Sequence, residues 1–533
     1  LSSDNIKGLF AYSGAVKTKE FELGELLGNE KLGEITFNLD VKGDHYEKRP
    51  PTILLKGLVA AIEFSNYKYE KITLEGEYKK GGFNEKAALN YPNGSVAING
   101  IINMAEKVPT FNFTASVDKF RPHDLNLTPK YEDTEISVKL KADFKGGSID
   151  QMIGEINVDS LLFTAPEKKY FMDNLHVTAT RQDGTNRLSL TSEFLTANID
   201  GRFLYHTLPV SMLNIMRRYV PSLILPGKKT IETDNNFSFD IHIYNTDFLS
   251  TIFNIPLTVY THSTVKGYVN DRMQRVQAEG YFPRLQYKQN YIESGLLLCE
   301  NVTDQLKAKI RFTNLKKNGA VNISLDVQAK DDQLNTRINW GNNSAITYSG
   351  QLAAVSQFLR TEGEKPLLKA IVDVKPTDVI LNDTLWQIHP SQVVVDSGKI
   401  DVNDFYFSHR DRYIRINGRI SDTQADAGKV KLQDINIGYV FDIARISDDV
   451  NFEGDATGMA YASGILKKPG LDARLFIRNF KLNNALLGDL NVYGAWDNDK
   501  KGIYLAAHIH EKDFAKTHVE GIIYTIKPTS GLD

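Results

Sequence analysis

A chain of 533 residues with 41% apolar and 24% charged side chains is long enough for several domains and has the composition of a folded protein. Its net charge of −3, with both signs interspersed, offers no basic surface, which argues against nucleic acid as a partner, since that binding rests on Lys and Arg meeting phosphates. The one cysteine, Cys299 in the run GLLLC, excludes an internal disulfide and a CxxC metal or redox motif, and reads as a buried inert thiol.

Phe, Tyr, Thr, Val and Ile are frequent, which is strand composition. The first 30 residues predict two weak strands and a helical turn over 21–29. Ile35, Phe37, Leu39 and Val41 then alternate with polar residues, and Ile62 with Phe64, Tyr67 with Tyr69 and Ile72 with Leu74 repeat the pattern. Val96 and Ile98 follow, then Phe111, Phe113, Ala115 and Val117, then Ile136, Val138 and Leu140, Ile156 and Val158, and Leu175, Val177 and Ala179. Residues two apart on a strand share a face, so each run builds one apolar and one polar side. Residues 207–226 break the pattern. Val210, Leu213, Met216 (or Met212) and Val220 fit a short amphipathic helix that Pro221 stops. A second short helix is predicted over 247–253 with Asp247 as N-cap, and a third over 441–446.

Between the helical segments strands continue through Phe237, Phe239 and Ile241, then Ile310 and Phe312, Ile323 and Leu325, and Ile338 and Trp340. The densest example lies over 385–420, where Trp386 and Ile388, Val393 and Val395, Ile400 and Val402, Phe405 and Phe407, and Ile414 and Ile416 form successive pairs. Turn formers separate them: Pro390, Ser397 and Gly398, Asn403 and Asp404, and Asn417 and Gly418. Leu475, Ile477, Leu490, Val492, Ile503 and Leu505 carry the alternation toward the end. The fold class expected is all-β, an antiparallel meander with a few short helices, segmented as 1–206, 207–226, 227–440 and 441–533.

A one-faced sheet must bury its apolar side, and here there are almost no helices to cover it. The sheet either folds on itself as sandwiches or a barrel, coils as a solenoid, or curls into a trough. Roughly 30 strands at about 4.8 Å each would extend on the order of 150 Å, too long for a twisted sheet to stay flat. A trough lined with apolar side chains is a conduit for acyl chains, by the same area argument that buries any hydrocarbon.

No G-x-S-x-G, P-loop, H-E-x-x-H, Rossmann or EF-hand motif occurs, so no catalytic residue, cofactor or metal is assigned and the chain reads as a non-enzyme. His508 and His510 share one strand face as a metal pair without a third ligand nearby, and two solvated histidines is the plainer reading. Asp331 with Asp332 and Asp448 with Asp449 flank turns and read as solvated acids. Arg410 and Arg412, and Lys467 and Lys468, read as solvated hairpin tips that are able to touch lipid headgroups. Trp340, Trp386 and Trp496 lie near strand ends and read as core or rim packing. No signal peptide and no run of about 18 apolar residues is present, and both ends read as cuts in a longer protein.

Three stretches carry a resemblance. The first is SGAVKTKEFELGELLGNEKLGEITFNLDVKG from Ser13 to Gly43. The second is the 385–420 meander, which ends on Ile416, Asn417 and Gly418. The third is FEGDATGMAYASGILKKPGLDARLFIRNFKLNNALLGDLNVYGAW from Phe452 to Trp496. Together they resemble the TamB family of Gram-negative envelope proteins, related to the AsmA-like proteins, in its Bacteroidota form. The resemblance implies a U-shaped "β-taco" with a hydrophobic groove, crossing the periplasm from an inner-membrane anchor. It further implies phospholipid acyl chains as cargo and a BamA-like outer-membrane barrel protein as partner, met through regions outside this chain. Phe37, Leu39, Phe111, Phe113, Ile323, Leu325, Phe405, Phe407, Ile414 and Ile416 would line the groove, and Leu213, Met216 and Val220 would plug it or guard its seam. Three other readings stand beside the conduit: a scaffold that templates outer-membrane strands by β-augmentation, a glycan-binding or adhesin array of β-sandwiches, and a transmembrane barrel. The short apolar runs argue against the last, whose strands need about 9–11 residues.

Overall fold

The strands outlast the apolar runs that announce them. The computed structural model describes the chain apart from residues 1, 7–8, 47–48, 80–81, 92–93, 104–106, 167, 225–231, 302–303, 317–318, 343, 345–346, 361–366, 424, 439–450, 465–469, 512–513 and 525–533. The expected helix over 441–446, Asp448 and Asp449, and Lys467 and Lys468 lie outside the described residues. The fold is all-β. Leu32–Tyr46 has 15 residues and Arg49–Phe64 has 16, so strand length gives no argument against a membrane barrel, contrary to the expectation from the runs.

Bulges explain much of the difference. Asn403 and Asp404 do not separate two strands. Lys399–His409 runs through them, with a register shift between Val402 and Phe405 and Asp404 at φ 53°. One extra residue restores Phe405 to the face of Val402, so the apolar side continues across the irregularity.

The chain divides into two units, Leu1–Ser211 with Ile231–Gln289, and Met212–Thr230 with Asn290–Asp533. In the first, antiparallel strands pair with their neighbours in sequence, a meander. Leu257–Val259 and Ser263–Asn270 lie end to end along one partner, Arg275–Tyr287. The second unit keeps the same order. There Leu368–Val374 and Thr377–Leu381 share the partner Ser349–Arg360, and Thr384–Ile388 and Ser391–Asp396 share Lys399–His409. Pro376 and Pro390 occupy the two facing breaks, where a residue without an N–H leaves the ladder at least cost.

Three α-helices interrupt the described strands: α1 (Leu23–Leu27), α2 (Leu208–Arg217) and α3 (Asp247–Phe253). Asp247 is the first residue of α3, not its N-cap; Thr246 holds that place, and Asn245 Oδ1 accepts the Asp247 N–H at 2.8 Å. The Asp247 carboxylate instead accepts the Tyr170 hydroxyl at 2.9 Å and the Lys168 ammonium at 3.2 Å. The face of α2 also differs from the one read from its periodicity. Leu213 and Met212 are exposed, at 46% and 38%, whereas Ser211, Ile215, Tyr219 and Val220 are buried. Ser211, Ile215 and Tyr219 are spaced by four, so the inward stripe lies on a different side of the helix from Leu213, and of the expected face Val220 alone is buried.

Burial is concentrated in a few places. Among the described residues Trp386, Phe203, Leu125 and Ile215 are the largest apolar side chains that are fully enclosed.

Candidate functional site: the apolar face of each unit

Directly opposed residues of an antiparallel pair share a face, so the pairing registers trace each face strand by strand. In the first unit Phe37 stands opposite Val59, then Ile72, Leu89, Val96, Val117, Val138 and Leu161. Leu39 stands opposite Gly57, then Leu74, Ala87, Ile98, Ala115, Leu140 and Val158. Phe111 opens a third row: Phe144, Gly154, Ala179, Leu188, Ile199, Phe239, Gly267 and Ala278. No polar residue stands in these three rows, whereas Glu85 stands in the row of Phe113, between Gly76 and Gly100. Phe37, Leu39, Phe111 and Phe113 therefore lie on one side of one sheet.

The second unit repeats the arrangement. Phe312, Ile323, Trp340, Gly350, Val379 and Trp386 form one row, and Ile310, Leu325, Ile338 and Leu352 the next. Ile388 pairs with Phe407, and Phe407 continues through Ile414, Leu432, Gly458, Leu475, Val492, Ala507 and Val519. Phe405 opposes Ile416, which opposes Val430. Ile323, Leu325, Phe405, Phe407, Ile414 and Ile416 thus share the second face. Glycines at two positions make room for rings: a Cβ on Gly267 would stand 2.8 Å from Phe239 Cζ, and one on Gly350 would stand 2.6 Å from Trp340 Cζ2. Alternating large and absent side chains let aromatic rings lie across the neighbouring strand.

Most of these side chains are neither buried nor freely exposed. Phe37, Leu39, Phe111, Phe113, Leu188, Leu190, Ile199, Phe239 and Ile241 all keep part of their surface open, as do Ile323, Leu325, Trp340, Phe405, Phe407, Ile414 and Ile416. An open cavity of about 380 Å³ touches Phe312, Ile323 and Trp340 together with Ser294, Arg311 and Asn339.

The ends of the strands in the first unit are different. At one end the segment 121–134 buries Leu125, whose carbonyl accepts the Tyr69 hydroxyl at 3.1 Å, and Phe248 of α3 meets Phe163 and Tyr170 edge-on at 6.4 and 5.6 Å. At the other end Phe203 packs on Phe237 at 5.7 Å, and Val269 and Val276 are 2% and 1% exposed. A buried polar network holds this end. Asp271 Oδ2 accepts the Ser211 hydroxyl and the Asn235 N–H, both at 2.8 Å. The Asn235 amide donates to Thr207 Oγ1 at 2.9 Å, and its oxygen accepts the Leu204 N–H at 3.0 Å.

In the second unit the residues after α2 are fastened similarly. Asn301 donates to the Tyr219 hydroxyl at 2.8 Å, and Asp332 accepts the Ser222 N–H and hydroxyl at 2.6 and 2.9 Å. Asp332 is thus a structural acceptor, not the solvated acid expected of it. Of the expected plug residues Val220 is buried, Met216 partly buried and Leu213 exposed. Trp386 is 2% exposed and stacks on Phe407 at 5.0 Å, with Val379 and Ile388 also buried. Ile437, Ala456, Ile477, Phe480 and Leu490 make a second covered patch.

Among the described residues no three His, Cys, Asp or Glu side chains gather as metal ligands, and no helix is long and apolar enough to cross a membrane. Burial pushes the Cys299 thiol above its ordinary value, with the Glu300 charge adding to it, so the thiolate is disfavoured. Sequence reasoning missed the two covered ends, because Leu125, Phe203 and Asp271 sit in aperiodic segments that carry no alternation. It also missed the glycines inside the apolar rows, which only the register reveals. No protein-family model matches the chain, and no curated protein matches it either.

Proposed function

We propose that each unit presents its apolar face to lipid acyl chains, and that the chain is the groove-bearing part of a TamB-like envelope protein carrying phospholipid between two membranes. In this reading the sheets are U-shaped in section and the acyl chain occupies the hollow. The observation that carries the proposal is the set of long apolar rows, broken by few polar residues such as Glu85 and Thr336, most of whose side chains stay partly open. Such rows would normally be covered by a second layer, and a bound hydrocarbon contributes about 0.8 kcal/mol for each CH₂ taken out of water. The meander order adds support, because it leaves a sheet free to curl without a facing sheet. The resemblance over Ser13–Gly43, 385–420 and Phe452–Trp496 supplies the cell-envelope setting, the periplasm, and the BamA-like partner.

The test is site-specific photocrosslinking in Gram-negative cells, with the crosslinker replacing Phe239 or Leu325 on the apolar faces and Asp240 or Asp326 on the opposite ones. Phospholipid adducts confined to Phe239 and Leu325 are the expected result. Adducts with β-barrel precursor polypeptides at those positions would replace transport by an assembly scaffold, and an absence of lipid adducts at both would refute the proposal.

A further inference from the structure

The polar side of the last two described strands places two imidazoles face to face. His508 on Gly502–Glu511 is the register partner of His518 on Phe514–Tyr524. Their Nδ1 atoms are 3.0 Å apart and the ring centroids 4.2 Å apart. Glu520 lies two residues beyond His518 on the same face, with Oε1 2.6 Å from His518 Nε2. A carboxylate can only accept, so His518 carries its proton on Nε2 and turns the Nδ1 lone pair toward His508. Without an ion His508 donates its Nδ1 proton to that lone pair; with this proton moved to His508 Nε2, both lone pairs converge on one point. We infer that His508 and His518 form a two-histidine site for a divalent transition-metal cation, Cu²⁺ or Zn²⁺, with Glu520 orienting His518 from behind.

The spacing suits such an ion. Two imidazole nitrogens at about 2.0–2.1 Å from one cation are about 3.4 Å apart on a tetrahedral edge and about 2.9 Å apart at adjacent square-planar positions. The observed 3.0 Å lies between them. Ligating histidines generally give their other N–H to a carboxylate, which fixes tautomer and ring orientation. The pair read from the sequence, His508 with His510, is less suited. Residues two apart along a strand stand about 6.6 Å from each other, whereas opposed residues stand about 5 Å apart. His508 and His518 are both exposed, and the remaining coordination positions would be filled by solvent.

His242 and His262 in the first unit also approach to 3.0 Å, so the test uses the 533-residue chain carrying His242→Ala to leave one such pair. Copper(II) is titrated and followed by electron paramagnetic resonance, with zinc as competitor. The expected result is one copper bound with hyperfine structure from two nitrogens, at least tenfold weaker in His508→Asn and in His518→Asn and unchanged in His510→Asn. Glu520→Gln should weaken binding about tenfold. Hydrogen exchange of the 514–524 amides should slow when metal is present, because the ion clips two strands together. Copper affinity unaffected by His508→Asn and His518→Asn, or lost in His510→Asn, would overturn the assignment, and full affinity in Glu520→Gln would overturn the role of the carboxylate.

Discussion

The middle and the end of the first unit's sheet carry the same alternation but differ in what lies over it. Leu188, Ile199 and Phe239 stand in an apolar row and keep part of their surface open. One rung further, Gly201, Phe237, Val269 and Val276 continue the same face, and there Phe203 folds over it and the two valines are sealed. A period of two therefore specifies which side of a strand is apolar. It does not specify whether the protein itself covers that side. In the first unit the cover is made by aperiodic segments, fixed through polar groups such as Asp271 and Asn235 instead of through helical periodicity.

This contrast can be broken from either side, and the largest effect is expected at the covered end. Phe203→Ala should cost about 3–5 kcal/mol, read as a lower midpoint in urea unfolding, since it empties a sealed site. Asp271→Ala should cost about 1–3 kcal/mol by leaving the Ser211 hydroxyl and the Asn235 N–H without their acceptor. A loss equal to that of a surface substitution would mean that the network does not hold the cover.

On the open length the order of effects reverses between stability and function. Ile414→Asp, on a partly open side chain, should shift the unfolding midpoint less than Phe203→Ala, yet it should abolish lipid crosslinking at neighbouring positions by putting a charge against acyl chains. Arg415→Ala, one residue away on the opposite face, should leave lipid adducts unchanged. The smallest effect belongs to the Asp404–Arg415 pair. The hydrogen bonds from Arg415 hold the Asp404 carboxyl below its usual range. A lowered folded-state pKa contributes stability above the ordinary carboxylate range, and that contribution is lost as pH falls through the lowered value. Asp404→Asn should flatten this acid-side dependence by lowering stability slightly at neutral pH and not at all once the carboxyl is protonated, and the difference is small because both groups are exposed.

The all-β class, the meander and the membership of Phe37, Phe111, Leu325 and Ile414 in apolar faces were legible in the sequence, because alternation maps directly onto strand geometry. Strand lengths were not, because bulges at residues such as Asp404 interrupt the period without ending the strand. The inward face of α2 was misread because a short apolar run offers more than one stripe: Leu213 is exposed whereas Ile215 is buried, and Ser211 shares the side of Ile215 through its hydrogen bond to Asp271 and not through any apolar character. The pairing of His508 with His518 depends on strand register, which no local pattern encodes.

The most direct test of the open apolar face is to purify the full chain from a Gram-negative host, extract it with organic solvent and quantify phospholipid per protein by mass spectrometry. The account predicts stoichiometric phospholipid in the parent protein and a large reduction in Ile414→Asp combined with Leu325→Asp, the folded state persisting by circular dichroism. Protein that is folded and free of lipid, with the partly open side chains of both faces packed against one another in solution, would contradict it.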